Sequence, residues 1–566
     1  MENEKTISTK RPGRPRKTEE KKLRIIPLGG MNEIGKNVTV IEYGNEMIVV
    51  DCGLAFPDED LPGIDLVLPD ISYIEEFEGT LHGMFITHGH EDHIGAMPYM
   101  LPKLDVPAYC TRLTAGLLEV KLEETDYTRA KIVCVEAGSV IQVGCFKVEF
   151  IAVNHSISDS VCLAIHTPVG VVVCTGDFKI DTTPVDGKMM DLARFGALGK
   201  KGVLCLMSDS TNAERPGYTM SERKVGDTFN DLFNGCDKRI IVTTFASNIH
   251  RLQQIINAAH KVGRKVAITG RSMENIMKLA MDLDAITLPR DTIVDINNIK
   301  GIPNHKLVII TTGSQGEPMS ALYRMAISGH RHVTLGAGDR VIMSSSAIPG
   351  NEKMVNRVIN ELLRKGADVV YDKLADIHVS GHACQEELKI ILGLLEPKFF
   401  LPVHGEYRHL LAHANLAKAM GMDSKDVFIG DNGQPLELTA NTAKFGEMVQ
   451  SGRVLVDGMS VGDVGGQVLR ERKLLAEDGV VVISFTVDSA SGDVVAGPTV
   501  ISRGFMLNRD LGTIDEEIRL HAIKVIDARG TADLKKLDNL LRVEINNFIQ
   551  KRLRRSPMIL ATVLEM

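Results

Sequence analysis

Residues 85–95, "FITHGHEDHIG", place His88, His90, Asp92 and His93 directly after a short apolar run. Four potential ligands within six positions make either a metal site or a wet polar loop, and the rest of the chain has to decide which. In an extended segment, residues two apart point the same way, so His88 and His90 can bind one ion together. Asp92 and His93 fall where a helix begins ("EDHIGAMPYML"). Adjacent side chains diverge there, and the pair suits a second ion.

The missing ligands stand at the ends of other β-like runs. "VTVIEYGNEMIVVDCG" reads as a hairpin about a Gly-Asn turn and closes at Asp51. "VEFIAVNHS" closes at His155, "GVVVCTGDF" at Asp177, "VLCLMSDS" at Asp209 and "PKFFLPVHGE" at His404. A polar residue at one strand end is ordinary. Six acids and histidines there, counting His88, point to strand ends converging on one edge of a layered sheet. His155 would complete the first ion's ligands and His404 the second's, with the two oxygens of Asp177 as a bridge. Asp51 suits an acceptor that fixes a histidine tautomer. Nitrogen and oxygen ligands without thiolate favour Zn, with Mn or Mg as alternatives, over a structural cysteine-type zinc.

A chain of 566 residues is too long for one hydrophobic core. Its net charge of −8 means that a polyanion must meet a local basic surface rather than a global field. Nine cysteines are scattered without a CxxC pair, several inside apolar runs, which reads as reduced, buried thiols of a cytoplasmic protein. No apolar stretch approaches the roughly 18 residues of a membrane helix, so no membrane partner is expected. Residues 1–22 form a basic, core-poor tail expected to be disordered. Its "RPGRPRK" suits either a nucleic-acid backbone or plain solubilisation.

The His-x-His-x-Asp-His form of "HGHEDH", followed in order by His155 and Asp177, resembles the metallo-β-lactamase superfamily. That resemblance implies an α/β fold, an αββα sandwich with two metals at one sheet edge. It leaves the reaction open, since substrates of the superfamily run from lactams and thioesters to phosphodiesters. Between residues 221 and 374 strands and helices alternate, a βαβ series that predicts a parallel sheet. Its loops "TTFASN", "TTGSQGEP" and "SSSAIPGNE" offer helix N-termini to phosphates, although N-capping by Ser and Asn explains any one of them.

An insert of this kind before the last ligand resembles the β-CASP nucleases. Asp209 in "MSDSTNAERPG" fits the acidic motif of that group, His382 in "HVSGHA" its middle histidine and His404 in "PVHGE" its final one. A histidine in the last place goes with RNA substrates, whereas the DNA-processing relatives carry an aliphatic residue. Within the group, "LGGMNEIGKN", "TTGSQGEP", "IPGNE" and "HVSGHA" are similar to ribonuclease J. The expected organisation is a metallo-β-lactamase domain over 23–220 and 375–450, a β-CASP insert over 221–374, a Gly-rich linker over 451–472 and a small α+β domain over 473–566. In the resemblance this last domain supports a homodimer or homotetramer.

The resemblance implies a ribonuclease with 5′-to-3′ exonuclease and endonuclease activity on single-stranded RNA, in RNA maturation and decay, with RNA-decay or ribosome-associated partners. Asp92 is expected to bind metal and orient the attacking water, and His382 to contact the scissile phosphate or the leaving oxygen. His378, Val379, Ser380, Gly381 and His382 are expected to cradle a nucleotide phosphate. Ser247 and Asn248 are expected to receive a 5′-monophosphate, while a triphosphate brings charge and bulk with nowhere to go. Asp51 and Asp209 stand behind the ligands. A thioester or lactam hydrolase would lack the insert and the "SGHA…PVHGE" pair. A non-catalytic RNA-binding protein would have lost ligands, and all seven (His88, His90, Asp92, His93, His155, Asp177, His404) are present.

Overall fold

Strand Phe146–Ala152 shows how the sequence builds the sandwich. Phe146, Val148 and Phe150 point into one core while Ile151 points into another, the period of two of a strand buried on both faces. The computed structural model describes residues 21–566 apart from 59, 126, 128, 349, 350, 463, 489, 492, 505–507 and 530–533. The basic tail therefore lies outside the described residues except for Lys21 and Lys22.

Two sheets face each other. The eight-stranded one runs, in spatial order, Ala443–Phe445, Leu436–Leu438, Leu23–Gly29, Val38–Tyr43, Glu46–Val50, Thr80–Phe85, Ala108–Thr111 and Ile132–Val135. The six-stranded one runs Phe399–Val403, Cys205–Asp209, Gly170–Cys174, Val161–Thr167, Phe146–Ala152 and Val140–Val143. Ile25, Ile41 and Phe85 of the first share a core with Phe150, Leu163, Val172 and Leu401 of the second. Behind the second sheet, Val173, Leu206 and Phe400 pack under helices Leu192–Lys201, Gln385–Leu395 and Tyr407–Ala419. This is the αββα sandwich of the metallo-β-lactamase fold.

Strand direction creates the site. Glu46–Val50 pairs in parallel with Thr80–Phe85, and Gly170–Cys174 pairs in parallel with Cys205–Asp209, which pairs in parallel with Phe399–Val403. Parallel neighbours finish at the same sheet edge, so Asp51, His88, Asp177, Asp209 and His404 emerge together.

The insert holds a wholly parallel sheet in the order Ile293–Val294, Lys265–Thr269, Leu307–Thr311, Ile240–Thr243, Arg340–Met343, Asp368–Val370. Its strand Leu307–Thr311 is buried throughout, as expected with helices on both faces. Sandwich and insert form one compact unit, residues up to Ala55 with Leu68–Arg453.

Phe56–Val67 and Val454–Met566 form a second unit. The hairpin Val480–Val487 and Val494–Arg503 appears in it, with Met558–Glu565 added in parallel. Helices Asn508–Arg529 and Leu534–Leu553 bury Ile518, Leu541 and Ile545 against that sheet. The linker expected over 451–472 is corrected. This stretch carries strands Arg453–Asp457 and Ser460–Val461 in a sheet with Leu66–Pro69, and helix Gly466–Asp478 begins within it. Glycine-rich composition hid the strand because its partner lies nearly four hundred residues earlier, with Asp65 N–H donating to the Val456 carbonyl at 2.9 Å. Among the described residues no helix is long and apolar enough to cross a membrane.

Candidate metal centre

The nitrogen and oxygen atoms aimed into the sandwich edge fall into three overlapping sets that share one carboxylate: His88, His90, His155 with Asp177, then Asp92, His93, His404 with Asp177, and Asp209, His382, His404 with Asp177. In the first set, His90 Nδ1 lies 3.1 Å from both His88 Nε2 and His155 Nε2. Asp177 Oδ2 stands 3.6 and 3.7 Å from those same Nε2 atoms. In the second, His404 Nε2 is 3.1 Å from Asp92 Oδ2, and His93 Nε2 is 3.3 Å from Asp177 Oδ1. Donor atoms on a four-coordinate ion with bonds of about 2.0–2.1 Å sit about 3.3 Å apart, so these spacings fit a cation.

Neighbouring groups settle which ring nitrogen is bare. His155 Nδ1 lies 2.8 Å from the Gly381 carbonyl, which can only accept, so Nδ1 carries the proton and Nε2 faces the cluster without one. Asp51 Oδ2 accepts from His93 Nδ1 at 2.8 Å. Thr87 Oγ1 donates to Asp51 at 2.9 Å and accepts from His88 Nδ1 at 3.1 Å. Thr211 Oγ1 does the same on the other sheet, donating to Asp209 Oδ1 at 2.8 Å and accepting from His404 Nδ1 at 2.7 Å. His88 Nε2 and His155 Nε2 both face His90 Nδ1 at 3.1 Å, and a single proton on that nitrogen can serve only one of them. Asp177 Oδ1 is buried and faces His93 Nε2 at 3.3 Å without a hydrogen bond of good geometry. A cation held in common would satisfy these atoms, and the donor set suits a divalent metal.

Charge divides the histidines. Burial, then neighbouring histidines, holds His88 well below the ordinary imidazole range. Burial also lowers His90, to about 4, and lowers His155. His93 and His404 are buried too, but carboxylates around them outweigh that and raise both: Asp177, Asp92 and Asp51 for His93, Asp177, Asp209 and Asp92 for His404. Asp92, Asp177 and Asp209 are held well below the usual carboxylate range; burial opposes this, and the facing histidines overcome it.

Backbone geometry is set for the same purpose. Asp51 and His404 hold φ of 59° and 55°, a left-handed conformation that costs a side-chain-bearing residue about 1–3 kcal/mol. Gly53 passes so near that a Cβ would stand 1.6 Å from the Asp92 carbonyl oxygen, and one on Gly381 would stand 2.6 Å from His155 Cε1.

The remaining expected residues lie at different distances from this centre. His382 Nδ1 donates to Asp209 Oδ2 at 2.8 Å, and its ring stacks with that of His404. Ser380 Oγ accepts from Asn212 Nδ2 at 2.8 Å. Val379 has a buried side chain, so only its backbone is left for a cradle. His378 faces Arg251 of the insert. Asn248 caps helix Ile249–Lys261, its Oδ1 accepting from Arg251 N–H at 3.0 Å, while Ser247 beside it is partly exposed. Sequence reading missed Thr87, Thr211 and Asn37. The two threonines adjoin quoted motifs, "ITHGH" and "SDST", and a hydroxyl beside a ligand was the available signal. Asn37 Nδ2 donates to the Asp92 carbonyl at 2.9 Å across 55 positions, a contact with no local signature.

Fold and site together define a metallo-hydrolase of the metallo-β-lactamase superfamily that carries a β-CASP insert. Family models match in the same order: metallo-beta-lactamase superfamily at 31–189, the ribonuclease J beta-CASP domain at 237–362, a Zn-dependent metallo-hydrolase RNA specificity domain at 367–429 and the ribonuclease J C-terminal domain at 467–566. Ribonuclease J of Thermus thermophilus is 44% identical, covering 96% of this chain and 95% of its own. Ribonuclease J 1 of Streptococcus pyogenes is 43% identical over 95% and 97%, and ribonuclease J2 of Bacillus subtilis 40% over 97% and 100%. The chain belongs to the ribonuclease J family and is a metal-dependent ribonuclease. A crystal structure of an Enterococcus faecalis protein of unknown function shares the fold, with TM-score 0.53 and 18% identity over 74% of this chain and all of that one.

Two predictions follow from the centre itself. Gly381→Ala should push His155 aside and weaken metal retention about ten- to hundredfold while leaving the circular dichroism spectrum native; unchanged metal content after dialysis would remove Gly381 from the support of His155. In ion-free protein the facing carboxylates favour the charged forms of His93 and His404, so metal binding should release protons. Fewer should be released as pH rises through their raised values. Calorimetry in buffers of different ionisation enthalpy measures this, and binding without proton release would contradict the imidazolium–carboxylate pairing.

Proposed function

We propose that this ribonuclease is a two-metal phosphodiesterase that degrades single-stranded RNA from the 5′ end and also cuts internally. One ion is assigned to His88, His90 and His155, the other to Asp92, His93 and His404, with Asp177 between them and zinc as the expected metal. The observation that carries the reading is the sharing of buried Asp177 by the two sets of donors. Bound cations supply neutralisation of the phosphate charge and acidify water from a pKa of about 16 toward about 7.

The chain's own residues supply direction. Asp92, the most accessible of the three site carboxylates at 28% exposure, is placed to accept a hydrogen bond from the attacking water. His382, one-fifth exposed and tied to Asp209, has a raised pKa. Burial opposes the rise, and the charge and hydrogen bond of Asp209 outweigh it. With Nδ1 donating to Asp209, its Nε2–H is free to meet the departing 3′-oxygen, which needs a proton or a hydrogen bond as in-line attack proceeds. The "HVSGH" segment is assigned to a nucleotide phosphate through backbone N–H groups and Ser380, and Ser247 with the first turn of its helix to the 5′-monophosphate. A homodimer or homotetramer and a cytoplasmic location accompany this reading on family grounds.

Digestion of 5′-labelled RNA with metal-stripped and metal-restored protein tests the reading. Monophosphorylated RNA should be reduced to mononucleotides, triphosphorylated RNA should resist at its end, and Ser247→Ala should narrow the difference. Equal mononucleotide release from both would leave only an endonuclease. His382→Ala should lower kcat about a hundredfold or more with little change in RNA affinity, the mark of a contact made in the transition state. A matching loss of affinity would instead place His382 in ground-state binding.

A further inference from the structure

Arg251 is one of the largest fully buried side chains of the protein and lies in the first turn of insert helix Ile249–Lys261. Its donors are committed. Nε and Nη2 clamp Glu222 at 2.8 and 2.7 Å. Nη1 donates to the Ser344 carbonyl at 2.9 Å and lies 3.1 Å from His378 Nδ1. A guanidinium stays charged and has donors only. His378 Nδ1 must therefore accept, and an imidazole that accepts at Nδ1 carries its single proton on Nε2. Ser344 also grips the neighbouring backbone, its Oγ donating to the Ile377 carbonyl at 2.5 Å. Protonating the ring would set two donors face to face beside a buried cation. Burial, then the charges of Arg251, Lys179 and Arg215, accordingly push His378 down to about 3.

We infer that Arg251 is a positioning residue: by occupying His378 Nδ1 it commits that imidazole to act as a neutral Nε2–H donor toward the RNA. The inference rests on the assignment of the "HVSGH" segment to the substrate. Because Arg251 lies against the ring and the charges of Lys179 and Arg215 also bear on it, the acceptor it suits is an anionic phosphate oxygen. The same arrangement bars His378 from transferring a proton, which separates its role from that of His382 four residues on. A residue of the insert thereby sets the chemistry of a loop that belongs to the sandwich.

A double-substitution cycle on single-stranded RNA cleavage tests this, with His378→Ala, His378→Gln, Arg251→Lys and the Arg251→Lys/His378→Gln pair. A glutamine amide offers an N–H donor near the imidazole Nε2 position but has no ring tautomer to fix. His378→Ala should lower kcat/KM about ten- to hundredfold and His378→Gln should recover most of it. Arg251→Lys should cost about tenfold in the native background and less than about twofold in the His378→Gln background. Equal costs in both backgrounds would reduce Arg251 to a structural role and overturn the inference. Glutamine as poor as alanine would overturn it by making His378 a proton-transfer group. Native kinetics in His378→Ala would overturn both the inference and the assignment of the segment to RNA. Should Arg251→Lys fail to fold, Arg251→Met with Glu222→Met removes both buried charges together and takes its place in the cycle.

Discussion

A buried carboxylate with histidines on every side is the constraint on which the centre depends. Asp177 is 3% exposed and faces His88, His93, His155 and His404. An anion so placed is tolerable only when positive charge meets it. Without an ion, that charge comes from the raised His93 and His404. The same nitrogens are the ones placed to hold a metal ion. The cost of burying Asp177 is thus offset by positive charge in its immediate surroundings.

Behind the ligands stands one device used twice. Asp51 with Thr87 fixes His93 and His88 from the first sheet, and Asp209 with Thr211 fixes His404 from the second. In each case a carboxylate accepts, a threonine hydroxyl relays, and the histidine is left with a bare nitrogen aimed inward. Asp209 adds a second task, since it also holds His382 at the open side of the centre. That links a support of the ligands to the group assigned to the leaving oxygen, so a change at Asp209 disturbs both.

The insert is more than an added domain, because its buried ion pair Arg251–Glu222 reaches the "HVSGH" segment through His378. The same segment meets His155 through Gly381 and Asn212 through Ser380. His155, the sandwich loop and the insert helix thus converge on five consecutive residues, which physically connects the insert to the histidine cluster.

Much of this was legible in the sequence. The spacing of His88, His90, Asp92 and His93 determined that four nitrogen- and oxygen-bearing side chains cluster at one strand end. Hydrophobic runs closing on Asp51, His155, Asp177, Asp209 and His404 determined that these residues end strands, since a strand must leave the core where its apolar pattern stops. The alternation from residue 221 to 374 determined a parallel insert. Only the tertiary structure decided the rest. Strand direction, a product of pairing between distant segments, brings the six strand ends to one edge. The sheet partner of Arg453–Asp457 lies in residues 66–69, so no local window could reveal it. Ring tautomers depend on carbonyls and hydroxyls hundreds of residues away, as with Gly381 behind His155, and the close approach that makes them specific exists only once the chain has folded.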